Sequence, residues 1–246
     1  MKKLVAYITS SVPDNNFCVD LALSMKDAGV DTLELGVPFS DPVADGPVIE
    51  KANQLALENN FTLNDLFEVS SKIAPNMDML WMGYMNPFYN YGLENFLKKA
   101  QQYEVNGMII PDLPFEEAQL VKHLFDKYNK SNIAFVAPTH HENRIKKVVE
   151  NAQKFIYMVA YAGITGSGQN EDLTYIIETV KKYSNTPLYI GFGVDEKTCK
   201  EKAKKVDGVI VGSAFVKHLI DTSLSNSEKI AKITKLAKEI KQKINE

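Results

Sequence analysis

Short apolar runs recur along the chain and alternate with longer segments of mixed polarity. Because both alternating sets of positions in each run are apolar, the runs are typical of strands that are covered on both faces, as in a parallel sheet. Eight such runs occupy residues 4–9, 32–36, 79–84, 107–112, 132–138, 155–160, 187–192 and 208–213.

The segments between the runs have helical periodicity. Residues 116–128 repeat the pattern of residues 93–105, in which four apolar side chains share one helical face: Leu93, Phe96, Leu97 and Ala100. Eight strand–helix units in a chain of 246 residues, without a Pro-, Ser- or Gly-rich linker, predict a single-domain (β/α)8 TIM barrel spanning residues 1–246. A doubly wound open sheet is the alternative.

The last segment, residues 227–246, is basic and amphipathic. A helix of this kind can lie on a membrane surface or pack on the protein itself. Because the segment has no Trp or Phe, we expect an extra C-terminal helix that closes the barrel. Its apolar stripe consists of Ile230, Ile233, Ala237, Ile240 and Ile244.

The composition limits the classes of partner. The chain has 45% apolar residues, enough for a full core, and a net charge of −3, which implies no large basic face for nucleic acid. No run approaches the roughly 20 apolar residues of a membrane span, and no cleavage site follows the first run. Cys18 and Cys199 form no CxxC pair, so we expect reduced, packed thiols in a cytoplasmic protein.

A glutamate interrupts the second apolar run. Glu34 lies near the carboxyl end of the predicted strand 32–36, where a barrel builds its active face. A carboxyl group held among Leu33, Leu35 and Val37 is partly desolvated, which raises its pKa and suits a group that must give and take a proton near pH 7. The alternative is a structural glutamate that forms an ion pair.

The loop after this strand is acidic and conformationally restricted. Asp41 and Asp45 stand among Pro38, Pro42 and Pro47. A stiff loop can hold a second carboxylate against the first, and orientation is a large part of what a catalytic pair requires. For one of the two aspartates the alternative is an acidic turn stabilised by its own side chain.

Glycine-rich loops follow the last three runs, at residues 162–168, 191–194 and 212–217. Barrels often build a phosphate site there from backbone N–H groups and a short helix N-terminus, and glycine lets the phosphate approach the backbone closely. Ser213, at the expected helix start, can add a hydroxyl donor. The pattern predicts a phosphorylated substrate whose reactive end lies near Glu34.

Two further clusters complete the candidate chemistry. His140 and His141 follow the fifth run, but no third ligand stands at metal spacing, so we expect surface histidines rather than a metal site. Residues 83–92 bring several aromatic side chains and Asn86 to the end of the third run. We expect about half of these aromatic side chains to pack in the core and the rest to suit an aromatic substrate.

The stretch LELGVPFSDPVADGP, residues 33–47, resembles the most distinctive motif of the tryptophan synthase alpha subunit family. The order of the other loop motifs is also similar: GYMNP at 83–87, PDLP at 111–114, GITG at 163–166, GFGV at 191–194 and VGSAFVK at 211–217. The similarity covers nearly the whole chain. Two loops depart from the family: residues 9–15 replace its usual Gly-Asp-Pro turn, and residues 160–162 replace a Ser-Arg or similar pair.

The resemblance implies a retro-aldol cleavage of indole-3-glycerol phosphate to indole and glyceraldehyde 3-phosphate. Glu34 matches the family's acid–base glutamate, and Asp45 matches its second catalytic aspartate. No metal and no cofactor is implied for this chain. The substrate-binding residues that the resemblance implies are Tyr157, Thr165, Gly166, Phe192, Gly193, Gly212 and Ser213.

The resemblance also implies a partner, the tryptophan synthase beta subunit, which carries pyridoxal phosphate. Pro38, Asp41 and Pro42 belong to the loop that would face this subunit. The implied assembly is an α2β2 heterotetramer in which indole passes directly to the beta subunit.

Two other classes of function stay open. Another phosphate-binding barrel, such as a phosphosugar isomerase or the synthase that makes indoleglycerol phosphate, would share the glycine loops. The synthase is expected to use a lysine at a strand end, and none of the eight runs contains one. A non-catalytic barrel that only binds and regulates a beta partner would not require both carboxylates.

Overall fold

The computed structural model describes residues 1–160 and 173–246. Its strands are β1 (Lys3–Thr9), β2 (Thr32–Gly36), β3 (Asp78–Met82), β4 (Gly107–Ile109), β5 (Ser131–Asn132), β6 (Ala134–Val136), β7 (Ile156–Val159), β8 (Leu188–Gly191) and β9 (Gly208–Val211). Its helices are α1 (Asn15–Asp27), α2 (Pro47–Glu58), α3 (Leu63–Ile73), α4 (Met85–Tyr91), α5 (Leu93–Gln102), α6 (Phe115–Lys127), α7 (Glu142–Val149), α8 (Thr174–Tyr183), α9 (Cys199–Ala203), α10 (Ser213–Leu219) and α11 (Asn226–Lys243).

The strands form one parallel sheet in the order β5-β4-β3-β2-β1-β9-β8-β7-β6. The two outermost strands, β5 and β6, are consecutive in the chain, and β5 pairs with β4 while β6 pairs with β7. Ile133 lies between them and donates its backbone N–H to the Met108 carbonyl at 3.0 Å. The predicted (β/α)8 barrel is confirmed. The predicted strand 132–138 is divided into β5 and β6 because its two halves pair with different neighbours.

Alternate side chains of the strands fill the barrel, while the opposite faces pack under the helices. Cys18 and Cys199 are free thiols buried in this outer layer, as expected. Gly191, at the end of β8, makes room inside the barrel because a Cβ there would lie 2.4 Å from the Tyr157 hydroxyl oxygen. The residues of the inner cluster are Val5, Leu80, Ile109, Ile133, Phe155, Tyr157, Tyr189 and Ile210.

The last helix, α11, begins with a capping box in which Ser225 and Glu228 bind each other's backbone N–H groups. Ile233, Ala237 and Ile240 of the predicted stripe are fully buried, and the helix packs on α1 and α10. The predicted extra C-terminal helix is therefore confirmed. Across the described ranges, no helix has both the length and the apolar character needed to cross a membrane.

Candidate active site

A cavity of about 320 Å³ opens at the carboxyl end of the strands. Pro38, Asp41 and Pro42 lie on the loop that leads to this cavity, and none of them lines it. Thr165 and Gly166 lie outside the described residues. The predicted residues that the cavity brings together are Glu34, Asp45, Tyr157, Phe192, Gly193, Gly212 and Ser213.

Glu34 enters the cavity from β2. In the sheet register it lies beside Tyr7 of β1 and Leu80 of β3. Only 2% of the residue is exposed, and its Oε1 atom is buried without a hydrogen-bond partner among the described residues. Burial raises the pKa of Glu34 to about 8, so the carboxyl is protonated at neutral pH. Glu34 forms no ion pair with any described residue, so the structure does not support the alternative of a structural ion pair.

Asp45 enters the cavity from the loop between β2 and α2. Its backbone N–H donates to the Pro42 carbonyl at 2.9 Å, and α2 begins two residues later at Pro47. Asp45 is 3% exposed, and Asn53 donates from Nδ2 to its Oδ2 at 3.1 Å. Burial raises the pKa of Asp45 to about 7, although hydrogen bonds from Tyr84 and Asn53 favour the charged form. Both carboxyls of the cavity therefore titrate near neutral pH.

Tyr84 anchors the loop that carries Asp45. Its buried hydroxyl accepts a hydrogen bond from the Ala44 backbone N–H at 3.1 Å, and its ring lies 5.6 Å from that of Phe39. Asp41 has a different environment, because it is exposed and accepts a hydrogen bond from the Ser40 hydroxyl at 2.6 Å. Of the two aspartates in the loop, only Asp45 reaches the cavity.

Aromatic side chains form one wall of the cavity. The rings of Tyr157 and Phe192 meet edge to face with their centroids 6.0 Å apart. Behind them, Phe135 stacks on Tyr157 with a centroid separation of 4.9 Å. Met82 and Ile210 add apolar surface. Flat apolar walls with a few polar groups are typical of sites for an aromatic ligand.

The loops after β8 and β9 also line the cavity. Phe192 and Gly193 have positive φ angles of 69° and 65°, a conformation that is uncommon for a non-glycine residue. The Phe192 carbonyl accepts a hydrogen bond from Lys202 Nζ at 2.8 Å, and the Gly193 carbonyl accepts one from the Thr198 hydroxyl at 3.0 Å. With these carbonyls held by partners, the turn has a defined shape beside the start of α10 at Ser213.

Tyr7 and Asn53 are polar residues at the site that were not identified from the sequence. Tyr7 lies beside Glu34, with its hydroxyl 3.3 Å from Thr9 Oγ1. The alternation of side chains along β1 is the signal that could have identified it. Asn53 is a polar residue on the otherwise apolar buried face of α2, where Ile49 is also buried. A polar residue on such a face is the signal that could have identified it.

The two histidines after β6 lie away from this cavity. His141 is exposed at the N-cap of α7, whereas His140 is half-buried. Within residues 1–160 and 173–246, no group of three or more His, Cys, Asp or Glu side chains is arranged to hold a metal ion.

Comparison with known proteins connects this geometry to one family. The family model for the tryptophan synthase alpha chain matches residues 1–245. The tryptophan synthase alpha chain of Wolinella succinogenes is 55% identical over 246 residues, which cover 100% of this chain and 96% of the relative.

Solved structures agree with this result. The tryptophan synthase alpha subunit of Campylobacter jejuni is 33% identical, with a TM-score of 0.85 and coverage of 97% of this chain and 95% of that chain. A ligand-free tryptophan synthase of Mycobacterium tuberculosis is 28% identical, with a TM-score of 0.88 and coverage of 100% and 94%. The full-length family match, the sequence identity and the shared fold together show that this chain belongs to the tryptophan synthase alpha chain family.

Proposed function

We propose that Glu34 and Asp45 share the acid–base work of the reaction that this family catalyses. The reaction is the retro-aldol cleavage of indole-3-glycerol phosphate to indole and D-glyceraldehyde 3-phosphate, and the chain is a lyase of tryptophan biosynthesis. It uses no cofactor of its own, since pyridoxal phosphate belongs to the beta subunit. The observation that carries the proposal is a pair of buried carboxyls in one cavity, each with its pKa raised towards neutrality.

Glu34 is the proton donor and acceptor in this proposal. In its neutral form it gives a proton to C3 of the indole ring, and the resulting positive charge is shared with N1. The bond between C3 and the glycerol chain then breaks, and its electrons restore the aromatic ring. The Glu34 carboxylate takes the proton of the adjacent hydroxyl group as the aldehyde forms, which returns Glu34 to its neutral form.

Asp45 stabilises the charged ring. An ionised Asp45 accepts a hydrogen bond from N1–H, and this bond strengthens as C3 is protonated and the ring becomes positive. The hydrogen bonds from Asn53 and Tyr84 support this role because they favour the charged form of Asp45. Two carboxyls thus take different roles that are set by their environments.

The indole ring is proposed to lie against Tyr157 and Phe192, which line the cavity and contact each other edge to face. Thr165 is proposed to lie beside the substrate as well, on the strength of the family motif alone. An aromatic substrate gains both buried area and favourable ring geometry from such a wall.

The phosphate is proposed to bind near Gly193, Gly212 and Ser213, which also line the cavity. The first backbone N–H groups of a helix have no partner within the helix, and α10 begins at Ser213. Gly166, which is placed here by the family motif alone, completes the proposed phosphate site.

An indole-release assay tests the proposed function. The isolated chain and its complex with the beta subunit are incubated with indole-3-glycerol phosphate, and indole and glyceraldehyde 3-phosphate are measured. We expect equal amounts of the two products, and almost none from Glu34→Gln. A chain that only regulates its partner would release no indole, either alone or in the complex. The same holds for a barrel enzyme that acts on another phosphorylated substrate.

The beta subunit is the partner of this chain. We propose that the two form an α2β2 assembly that passes indole directly between subunits. We also propose that the loop containing Pro38, Asp41 and Pro42 faces the beta subunit. Asp41 is exposed, Pro42 is half-buried and Pro38 is buried. Because Asp45 follows on the same loop, a partner that holds this loop also favours the closed, water-excluding site.

This surface is tested with Asp41→Ala and a control, Asp20→Ala, which removes an exposed aspartate on α1. Indole formation is measured with and without the beta subunit. We expect Asp41→Ala to reduce the stimulation by the beta subunit more than it reduces the activity of the isolated chain. Equal stimulation of wild type, Asp20→Ala and Asp41→Ala would show that the loop does not carry the activation.

Residues 1–246 are proposed to form a single domain, supported by the pairing of β1 with β9 from the other end of the chain. A cytoplasmic location is also proposed. It agrees with the two free, buried thiols, because cysteines in that compartment are kept reduced.

A further inference from the structure

A second cavity, of about 240 Å³, opens on the outside of the barrel between α6 and α7. We propose that it binds a neutral, bicyclic aromatic molecule with one N–H donor, of the kind that indole represents. The cavity shares no lining residue with the catalytic cavity among the described residues. Phe135 lines the second cavity and stacks on Tyr157, which lines the first, so this ring pair separates the two.

The second cavity lies where the predicted strand 132–138 is divided into β5 and β6. α6 packs on β5 and α7 packs on β6, whereas α6 and α7 are not among the closely packed helix pairs. The ring of helices therefore leaves a gap over the barrel wall at this point. The apolar residues that line the gap include Leu113, Phe115, Ala118, Phe125, Ile133 and Val148.

The size of the cavity and its charges restrict the ligand. An apolar cavity of about 150 Å³ accommodates benzene, so about 240 Å³ leaves room for two fused rings. The charged groups at the cavity already have partners: Arg144 binds both carboxylate oxygens of Glu116 and lies over the Phe115 ring, and Lys122 pairs with Asp126 at 2.6 Å. With these charges paired, the cavity favours a neutral ligand over an ion.

One buried polar atom of the lining has no hydrogen-bond partner among the described residues. Nδ1 of His140 is buried, and no described residue forms a hydrogen bond with it. Burial, together with the nearby Arg144, lowers the pKa of His140, so the ring is neutral at pH 7. A neutral imidazole accepts a hydrogen bond at one nitrogen, and leaving a buried acceptor unpaired is unfavourable. A ligand N–H directed at Nδ1 removes this deficit.

The proposal is tested by titrating the 15N-labelled full chain with indole and following the backbone amide signals of α6 and α7. Benzofuran is the matched probe, because it has the shape of indole but no N–H donor. We expect saturable shifts in both helices with a 1:1 isotherm, and benzofuran binding about five- to tenfold weaker than indole. This proposal concerns binding alone, so its failure leaves the catalytic proposal intact.

Two histidine variants sharpen the test. His140→Ala should weaken indole binding about five- to tenfold, and it should bind indole and benzofuran equally because the acceptor is gone. His141→Ala removes the neighbouring, exposed ring and should bind indole as wild type does. Ala118→Phe fills the cavity and should abolish the α6 and α7 shifts, while signals around the catalytic cavity still respond to indole.

The proposal is overturned if α6 and α7 show no saturable shifts, which would mean that the second cavity holds only water. It is also overturned if indole and benzofuran bind equally to wild type, or if His140→Ala and His141→Ala behave alike. Should Ala118→Phe fail to fold, the histidine pair and the two probes still decide the outcome.

Discussion

The carboxyl groups at the two ends of the barrel lie in opposite environments. At the amino end, Asp78 accepts hydrogen bonds from Lys154, Thr32 and Asn106, each at 2.6 Å. Burial by itself would raise the pKa of Asp78, but these hydrogen bonds, that of Lys154 above all, hold the pKa below its usual value. At the carboxyl end, Glu34 is more deeply buried, and burial alone determines its raised pKa.

Asp31 shows the same arrangement as Asp78. It is half-buried at the amino end, and hydrogen bonds from Lys241, the Leu4 backbone N–H and Lys3 outweigh burial and lower its pKa. Burial is therefore common to both ends, and the cation is the difference. A carboxyl with a lysine partner is held ionised and serves the fold, whereas one without a cation keeps a pKa that suits proton transfer.

The largest effect should follow from Glu34→Gln. The amide keeps the shape and neutral charge of the protonated carboxyl but cannot donate and accept protons. We expect kcat for indole release to fall by about 10²–10⁴-fold or more, with KM little changed. The melting temperature should not fall, which shows that the loss is chemical. Activity within a few-fold of wild type would contradict the assignment of Glu34.

Asp45→Asn should have the next largest effect, a loss of about 10²-fold in kcat, because an amide cannot stabilise the positive charge at N1. Asp41→Asn is the matched control on the same loop, since Asp41 is exposed and does not reach the cavity. Its activity without the beta subunit should stay near that of wild type. An inactive Asp41→Asn beside an active Asp45→Asn would reverse the two roles.

Asp78→Asn should affect stability rather than chemistry. We expect the free energy of unfolding to fall by about 2 kcal/mol at pH 7, because Lys154 loses its charged partner. Glu94→Gln, which breaks an exposed pair with Lys127, should have a smaller effect because solvent screens that pair. Because the pKa of Asp78 is lowered by folding, its contribution is present above about pH 4 and is lost in acid.

Urea unfolding of both variants at pH 7 and pH 3 measures this contrast. The difference between wild type and Asp78→Asn should shrink at the lower pH. An Asp78→Asn chain as stable as wild type at pH 7 would show that the paired carboxyl at the amino end does not serve the fold.

The pH dependence of kcat/KM should be bell-shaped. Asp45, with a pKa of about 7, must be ionised, so activity falls as the pH drops below 7. Glu34, with a pKa of about 8, must be protonated, so activity falls as the pH rises above 8. Each limb should approach a tenfold loss per pH unit. A flat profile between pH 6 and pH 9 would contradict these two protonation states.

The smallest effect should come from Gly212→Val. Gly208→Ala, at the other end of β9, is the matched glycine variant. A Cβ at Gly212 has its nearest neighbours at 3.5 Å, whereas one at Gly208 would meet the Lys3 carbonyl oxygen at 2.8 Å. Gly212→Val should raise KM by about tenfold with little change in kcat, because the branched side chain blocks the phosphate. Gly208→Ala should instead lower the melting temperature. An unchanged KM in Gly212→Val would place the phosphate elsewhere.

Much of the fold and part of the site could be predicted from the sequence. Apolar runs without alternation indicated strands covered on both faces, and the stripe containing Ile233 and Ile240 indicated a helix packed on the barrel. These features follow from local periodicity, which the chain carries whatever its neighbours are. Glu34 and Asp45 stood out for a related reason, because a carboxylate within an apolar run or a proline-rich loop is unusual in its local context.

Other features depend on contacts between distant segments. Tyr84 binds the loop of Asp45 from the end of β3, and Asn53 reaches the same carboxyl from α2. The division of the predicted strand 132–138 depends on which strands lie on either side of it. No local pattern contains such information, because each contact joins elements that the periodicity predicts separately.

The roles of the carboxylates show the same limit. Glu34 and Asp78 both lie on strands. Glu34 lies within the apolar run 32–36, so the sequence by itself determined that it is near the core, whereas Asp78 directly precedes the run 79–84 and was not identified. Only the tertiary structure decided that Lys154 reaches Asp78 and that no described cation pairs with Glu34. The physical reason is that a pKa depends on desolvation and on charges within a few ångströms, and both are properties of neighbours in space rather than along the chain.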